Sequence, residues 1–440
     1  MTGSGGGRRG VRTPLRGVVA LALVATLIVA CTDDDGPATV APGRGTTATS
    51  IERVTTTTIP RRLDGILVIG ALLPQSGAGA TLGESLIAGA SLAVSQINRA
   101  GGVNGMPVRL EIRDEGADVD TAGRSLDALI DARADVVVGP ASSRIALGLL
   151  AQIIEPGLTA CSPTATALSL RRFPDDGRFF RTVPSDALQA AALAEVMERT
   201  GLGVVSVVYI DDEFGLDVAT SLEEELERRG ITVTSHAYGS SELALSNVAD
   251  GALGSGAQAI AVIGDATDGA RMLTALRAAD DRDDDVMYFV NDPLRGAGSA
   301  AGQGSNGEAF LARVRGISPW SAPRSDAFVT AFAERFADTP MDFAAYAYDC
   351  TMLLALAAAT AGSDDPTLIA RTVTSVSRNG SPCMSFEECS QFLAEGRNID
   401  YVGSSGPVDL DENGEVQSAT FSVFGFEPPG RDKTITDLTL

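Results

Sequence analysis

From Leu63 onward, continuous apolar runs alternate with segments of helical periodicity. The run Ile66–Leu72 predicts a strand that is buried on both faces. Apolar residues then recur at helical spacing before Pro107–Arg113 alternates like a second strand; they are Leu82, Leu86, Ala90, Val94 and Ile97. Repeated strand–helix alternation predicts an α/β fold with parallel sheets and right-handed crossovers.

The alternation forms two series, which predicts two doubly wound lobes with a cleft between them. The first continues with helix 121–132, strand 135–138, a helix from Ser143 and strand 158–161. The second has helices at 187–200, 215–229 and 269–279 and strands at 204–210, 231–236, 259–263 and 286–290. Ligands of such sheets lie at the carboxyl ends of the strands, near helix N-termini.

The N-terminus has the features of an export signal. Four arginines precede the apolar run Gly17–Ala30, which is too short for a membrane-spanning helix of about 20 residues. The run ends in Ile28-Val29-Ala30-Cys31, which resembles a bacterial lipobox. We therefore expect residues 1–30 to be a lipoprotein signal peptide and Cys31 to carry lipid; the alternative is an ordinary secretory peptide. Residues 31–62, rich in Thr, Pro, Gly and Asp, predict a disordered tether.

The composition excludes several functions. A net charge of -23 repels phosphates, so we expect no nucleic-acid partner. The chain has a single histidine, His236, which argues against histidine-based metal sites and most Ser/His or Cys/His catalysis. We therefore expect no metal, no cofactor and no enzymatic activity.

Six segments in order carry a family resemblance: residues 69–118, 136–143, 161–170, 207–217, 343–359 and 404–415. They include VVVGPASS, CSPTATALSL, VVYIDDEFGLD and FAAYAYDCTMLLALAAA. Over roughly residues 63–426 the chain resembles the type I periplasmic binding proteins of the leucine/isoleucine/valine-binding group, particularly their lipid-anchored, actinobacterial-like members. Those proteins are substrate-binding components of ABC importers.

The resemblance implies two lobes that are joined by three crossings of the chain. It places lobe one at 63–183 and 312–402, and lobe two at 184–311 and 403–440. The three crossings would form a hinge that closes around a ligand. It also implies a monomer that is lipid-anchored on the outer face of the cytoplasmic membrane, with an ABC permease as partner.

The strand-to-helix loops of lobe one hold the first candidate ligand groups. Ser143 and its neighbour Ser142 lie where a helix N-terminus would bind a ligand carboxylate, although a plain N-cap is the common role of serine. By resemblance, Thr164 would offer its carbonyl to a ligand amine and Thr166 its hydroxyl to the carboxylate, with turn capping as the alternative. Gln75 and Ser76 follow the first strand and line the same cleft by position.

Lobe two departs from the pattern of amino-acid binders. Phe214 stands where relatives usually place an aromatic residue, often tyrosine, that covers the ligand; its alternative role is to pack the following helix. Asp265 and Ala266 replace expected aromatic residues, which disfavours leucine-like specificity. Asp292 stands where relatives place an acidic residue near the ligand amine, or else caps its turn. Asp265 and Asp292 together favour a ligand with a cationic group.

The four cysteines beyond Cys31 are an even number in an exported chain. Cys383 and Cys389 are close enough in sequence to close a small disulfide loop. Cys161 and Cys350 both fall in the implied lobe one, where they form either a second disulfide or two buried thiols.

Two functions remain open from the sequence. The first is a solute-binding lipoprotein that captures a small polar ligand, an amino acid or a related compound, and delivers it to an ABC importer. The alternative is a ligand-sensing receptor of the same fold that signals to a membrane partner.

Overall fold

The structure is a computed structural model, and it describes residues 63–280, 286–302 and 306–440. The signal peptide, Cys31 and the tether lie outside these residues and stay predictions. Within them the chain forms two α/β lobes, as the alternation of strands and helices predicts.

The first lobe is built on a five-stranded parallel sheet of order β2-β1-β3-β4-β5. Its elements in chain order are β1 (Val68–Leu73), α1 (Ala80–Arg99), β2 (Arg109–Asp114), α2 (Val119–Asp131), β3 (Val136–Val138), α3 (Ser143–Ile154), β4 (Thr159–Ser162), α4 (Leu168–Arg172) and β5 (Phe179–Arg181).

The second lobe has a seven-stranded sheet of order β14-β13-β10-β9-β8-β6-β7. Its first elements are α5 (Asp186–Glu198), β6 (Val204–Ile210), α6 (Glu213–Arg228), β7 (Thr232–Tyr238), α7 (Glu242–Gly254), β8 (Ala259–Ile263), α8 (Asp268–Ala279), β9 (Met287–Val290), α9 (Gly298–Ala301), α10 (Gly307–Ala312) and β10 (Val314–Pro319). The sequence had not predicted α7, α9, α10 or β10.

The chain then returns to the first lobe and ends in the second. The returning elements are α11 (Asp326–Arg335), α12 (Ala344–Ala361), α13 (Pro366–Val376), β11 (Ser381–Cys383), α14 (Phe386–Ala394) and β12 (Ile399–Tyr401). The last elements are β13 (Thr420–Glu427) and β14 (Arg431–Thr439), which pair antiparallel with each other, while β13 also pairs antiparallel with β10.

Each sheet is covered on both faces, which explains why its central strands are uniformly apolar. Alternate residues of β1, such as Ile69 and Leu72, are fully buried in separate apolar clusters on opposite faces of the first sheet. One cluster includes α2 and α3, and the other includes α1, α12 and α13.

Among the described helices, α12 alone is long and apolar enough to cross a membrane, but 83% of its residues are buried inside the protein. It is therefore a core helix of the first lobe.

Strand pairing and burial place two of the lobe borders later in the chain than the sequence analysis expects. β10 lies between β9 and β13, and its Ile317 is buried in the core of the second lobe, so the border expected at 311/312 falls after Pro319. Val408 and Val416 are buried in the core of the first lobe, so the border expected at 402/403 falls shortly before β13. The lobe to which a short segment belongs depends on the core in which its side chains are buried. The sequence pattern does not resolve this for short segments, so both borders differ from the expected ones.

Candidate functional site

The candidate site begins at the carboxyl edge of the first sheet, in the loop between β3 and α3. A buried carboxylate organises this loop: Glu115, 1% exposed, accepts hydrogen bonds from the backbone N–H groups of Ala141 (2.7 Å) and Ser142 (2.8 Å). Burial raises the pKa of Glu115 above its usual value despite these bonds. The predicted ligand residue Ser142 therefore has its N–H group committed within the protein. Sequence reasoning did not find Glu115.

Ser143 begins α3, as predicted, and its hydroxyl connects two loops. Its Oγ accepts hydrogen bonds from the N–H groups of Thr166 (3.0 Å) and Ala167 (3.2 Å). The hydroxyl proton is therefore left to be donated outward. The N–H groups of Ser143 and Arg144 have no acceptor among the described residues, as is normal for the first turn of a helix. This end of α3 can therefore donate hydrogen bonds to an anionic group.

The loop after β4 holds both predicted threonines. The Thr164 hydroxyl donates to the carbonyl of Ala141 (2.9 Å), so this side chain is committed to the neighbouring loop. The Thr166 hydroxyl bonds to the carboxylate of Asp186, and the Asp186 N–H donates to the Thr166 carbonyl (2.9 Å). An ionised Asp186 accepts the Thr166 proton, so the hydroxyl presents lone pairs, which suits a ligand N–H better than a ligand carboxylate.

Two further buried residues support this loop, and the sequence did not indicate either of them. Arg181, 1% exposed, donates to the carbonyls of Ala165 (3.2 Å) and Ala167 (3.0 Å) and forms an ion pair with Glu415. Asp186, 4% exposed, lies at the start of α5. Burial raises the pKa of Asp186 to about 6, against the opposing effects of the Thr166 hydrogen bond and the Arg181 charge.

Gln75 and Ser76 lie at the exposed edge of the first lobe. The Gln75 N–H and the Ser76 hydroxyl donate to the two carboxylate oxygens of Asp114, at 2.7 and 2.6 Å. Burial alone would raise the pKa of Asp114, but these bonds and one from Gly116 hold it below its usual value. Gln75 and Ser76 therefore close the turn after β1, and none of the contacts described joins them to Ser143 or Thr166.

Phe214 adopts the alternative role that the sequence left open, and Asp265 adopts a role that the sequence analysis did not consider. Phe214 is half-buried and packs on the core of the second lobe. Asp265 is exposed, and its carboxylate accepts from the N–H groups of Thr267 (2.8 Å) and Asp268 (2.6 Å), where α8 begins. Helix packing and turn capping therefore account for both side chains.

Asp292 differs from the other acidic candidates because it lies beside a cavity. It opens the 3-10 turn Asp292–Gly296 after β9 and lines a cavity of about 470 Å³. Residues of both lobes line this cavity, including Thr81, Leu82 and Ser85 of α1 and Ser318 of β10. No side chain among the described residues binds the Asp292 carboxylate. Burial first, and then the charge of Asp186, raises the pKa of Asp292 to about 8.

The nearest cation on the same turn does not compensate Asp292. Arg295 donates to Asp432 Oδ2 (2.7 Å), to Ser318 Oγ (2.7 Å) and to Thr434 Oγ1 (3.1 Å). Its guanidinium is therefore already engaged. The cavity consequently combines a fixed ion pair with an Asp292 carboxylate that has no cationic partner.

The structure thus connects some of the predicted residues and separates others. Ser143 and Thr166 share a hydrogen bond, Thr166 bonds to Asp186, and the charge of Asp186 reaches Asp292. This series links the loops of lobe one to the turn of lobe two.

In residues 63–280, 286–302 and 306–440, no group of three His, Cys, Asp or Glu side chains is arranged to hold a metal ion.

Both cysteine pairs are disulfide-bonded. Cys383–Cys389 has a Cα–Cα distance of 5.3 Å, which confirms the predicted small loop. Cys161–Cys350 has a Cα–Cα distance of 5.5 Å and decides the open alternative in favour of a second bond. This second disulfide joins β4, next to the loop of Thr164 and Thr166, to the buried helix α12.

Two doubly wound lobes with ligand-type groups on facing loops define a two-lobed small-molecule binding protein. The family model described as periplasmic binding protein matches residues 67–405, and the chain belongs to this family. The family binds small-molecule ligands outside the cytoplasm and works with ABC transporters.

Individual relatives agree with this family. The chemotactic signal transduction system substrate-binding protein BasB of Halobacterium salinarum is 27% identical over 363 residues, which are 78% of this chain and 83% of BasB. An ABC transporter substrate-binding protein of Desulfitobacterium hafniense in complex with Leu superposes with a TM-score of 0.65 and 22% identity, covering 84% of this chain and 100% of that one. The branched-chain amino acid transporter substrate-binding protein LivJ of Streptococcus pneumoniae, in complex with isoleucine, has a TM-score of 0.61 and 20% identity, with 85% and 99% covered.

Proposed function

We propose that this protein is a solute-binding lipoprotein that captures a small polar molecule between its lobes and delivers it to an ABC importer. The ligand is an amino acid or a related compound that carries an amine. Family membership supports the binding role, and the relatives in complex with Leu and isoleucine support the ligand class.

One observation supports an amine group on the ligand. The Asp292 carboxylate lines a cavity between the lobes and has no cationic partner among the described residues, since Arg295 of the same turn is paired with Asp432. Asp292 is half-buried, and a carboxylate that is partly removed from water is stabilised in its charged form by an opposite charge at short distance. A ligand ammonium group would supply that charge.

The anionic end of the ligand would bind at α3. The Ser143 hydroxyl has a proton to donate, and the first N–H groups of α3 have no acceptor in the described chain. The Thr164 carbonyl and the Thr166 hydroxyl would accept from the ligand amine. These groups are neutral, so the carboxylate is held by directed hydrogen bonds and the helix dipole rather than by an arginine.

A sensing role is the second candidate, and the relative BasB favours it. BasB is a substrate-binding protein of a chemotactic signal transduction system, and it aligns with most of this chain. Both roles use the same capture step and differ in the membrane partner. Cross-linking of the anchored protein in native membranes separates them, because transport predicts an ABC permease as the captured partner and sensing predicts a chemotaxis transducer.

Anchoring and export complete the proposal. Cys31 would carry the lipid, residues 31–62 would span the distance to the folded body, and the protein would act as a monomer on the outer face of the cytoplasmic membrane. The two disulfides support an oxidising compartment. We propose no enzymatic activity, because the groups assembled at the cleft bind and orient a ligand and include no activated nucleophile.

Isothermal titration calorimetry tests the proposal with a panel of amino acids, amides, amines and small acids. We expect an amine-bearing member to bind at one site per chain. Asp292→Asn should weaken that binding, whereas Asp338→Asn should leave it unchanged, because Asp338 is exposed and lies outside the cavity lining. Absence of binding by every amine, or equal binding by both variants, would contradict the proposal.

A further inference from the structure

The chain passes between the two lobes three times, and all three crossings contact one short stretch of α12. The first crossing follows β5 (residues 182–185) and the second follows β10 (320–325). The third is the segment before β13 (402–419), which packs on the first lobe as far as Val416. The stretch comprises residues 346–350, which lie in the core of the first lobe.

The first two crossings meet Tyr346. The Thr182 hydroxyl donates to the Tyr346 carbonyl (3.0 Å) and lies 3.5 Å from Cys350 Sγ. The Tyr346 hydroxyl donates in turn to the carbonyl of Trp320 (3.0 Å). Because the Trp320 N–H donates to Thr420 (3.1 Å) and so extends the pairing of β10 with β13, Trp320 is held by both lobes.

The third crossing is bound to Asp349, which is fully buried. Its carboxylate accepts from the Tyr401 hydroxyl (2.8 Å), from the N–H groups of Ser404 and Ser405 (2.8 Å each) and from the Ser405 hydroxyl (2.6 Å). The Arg324 N–H donates to the Ser404 carbonyl (2.7 Å), which joins the second crossing to the third. Every hydrogen-bonding position of this carboxylate is thus used to hold one segment.

The stretch 346–350 is itself fixed within the first lobe. α12 packs between α1 and α13 and is almost wholly buried. Cys350 is bonded to Cys161, the penultimate residue of β4, and the loop of Thr164 and Thr166 begins after Ser162. The stretch that holds the crossings is therefore covalently tied to the strand that leads into the Thr164–Thr166 loop.

We propose that Tyr346 and Asp349 are positioning residues of the hinge. Tyr346 fixes the lobe-one ends of the first two crossings, and Asp349 fixes the lobe-one part of the third, so that lobe two rotates about points beyond Trp320 and Val416. The disulfide couples this pivot to the ligand loop. A hinge that serves ligand capture rests on the proposed function, but the pivot itself is a property of the ligand-free protein and is measured without ligand.

The chain offers a matched control for this proposal. Tyr346 and Tyr348 are both 4% exposed and lie on α12, and each donates one hydrogen bond from its hydroxyl. The Tyr346 bond reaches a crossing, whereas the Tyr348 bond reaches Gln96 within the first lobe. Tyr346→Phe and Tyr348→Phe therefore remove the same group at equal burial, and a purely structural role predicts equal effects.

The experiment measures the distance between the lobes in the full-length protein without ligand. Fluorophores are attached through azide-bearing residues at positions 155 and 227, which are exposed and lie in lobe one and lobe two, respectively. Single-molecule energy transfer then reports the distance distribution. We expect Tyr346→Phe to raise the population of displaced conformers roughly fivefold, the factor that corresponds to about 1 kcal/mol for one lost hydrogen bond. Tyr348→Phe should reproduce the wild-type distribution.

The outcome decides the proposal in each case. Equal distributions for the two tyrosine variants, whether broad or narrow, would overturn it. If Tyr346→Phe does not fold, Ser405→Ala takes its place, because it removes one of the four hydrogen bonds to Asp349 and should broaden the distribution as well. An unchanged distribution would then refute the assignment. If no compound of the calorimetry panel binds, the proposed function is contradicted, whereas the distance distributions of the ligand-free variants still decide the hinge proposal.

Discussion

The ionisation of Asp292 should make ligand binding depend on pH. In the free protein, burial and the charge of Asp186 raise the pKa of Asp292 to about 8. Near pH 7 the carboxyl group is then about 90% protonated, whereas an ammonium ligand binds its ionised form. Binding should therefore release close to one proton at pH 7.

The magnitude follows from the ionised fraction. This fraction rises from roughly 1% at pH 6 to 50% at pH 8, so the association constant should increase roughly 50-fold over this range. The other charged groups near Asp292 are Asp186 from α5 and Arg295, Asp342 and Asp432 in the cavity lining. Of these, Asp186 has its pKa raised to about 6, so its own ionisation changes the association constant with pH only near pH 6.

The assay is calorimetry with the amine-bearing ligand at pH 6, 7 and 8, in buffers of different ionisation enthalpy. Asp292→Asn should flatten the dependence and lower affinity at pH 8 by about 10- to 150-fold, the loss expected for one hydrogen bond to a charged group, about 1.5–3 kcal/mol. At pH 6 the variant and the wild type should converge, because the wild-type side chain is already neutral. An affinity that is flat from pH 6 to 8 in the wild type, or equally steep in Asp292→Asn, would refute the reasoning.

Three further predictions concern other parts of the chain. Ser143→Ala should weaken binding of a carboxylate-bearing ligand by about 10-fold or more in calorimetry but leave binding of the corresponding amine without a carboxylate nearly unchanged; equal losses would argue against an anion site at α3. Cys31→Ala should abolish metabolic lipid labelling and membrane fractionation, and retention of both would exclude Cys31 as the anchor. Removing Cys161–Cys350, whose sequence separation is 189, should lower the free energy of unfolding by about 5 kcal/mol, against about 2 kcal/mol for Cys383–Cys389 with a separation of 6. Denaturant unfolding of the double-serine variants measures both losses, and equal losses would contradict the chain-entropy explanation.

Much of the fold was predictable because its signals are local. A strand such as β1 is buried on both faces and therefore reads as a continuous apolar run, while α1 repeats apolar residues at helical spacing. Ser143 was placed at the start of α3 by the turn that precedes it. The unpredicted elements are short or weakly patterned, as in α9, which has four residues.

The candidate site was only partly predictable, because a residue type does not reveal its partners. Asp265 and Asp292 have the same side chain and both follow strands of the second sheet, yet Asp265 caps the start of α8 while Asp292 lines the cavity. Glu115 and Asp186 escaped detection because nothing in their local sequence marks a carboxylate that will be buried at the site.

The sequence alone determined the two α/β series, the family and the strand-to-helix loops, and it predicts the export-type N-terminus, since each depends on patterns within a few residues of chain. Only the tertiary structure decided which lobe holds β10, that Cys161 pairs with Cys350, and that three crossings meet at Tyr346 and Asp349. These features join residues far apart in the chain, as in the Thr182–Tyr346 contact across 164 positions. Burial and hydrogen-bond satisfaction at such separations depend on how all the elements pack at once, and no local pattern records that packing.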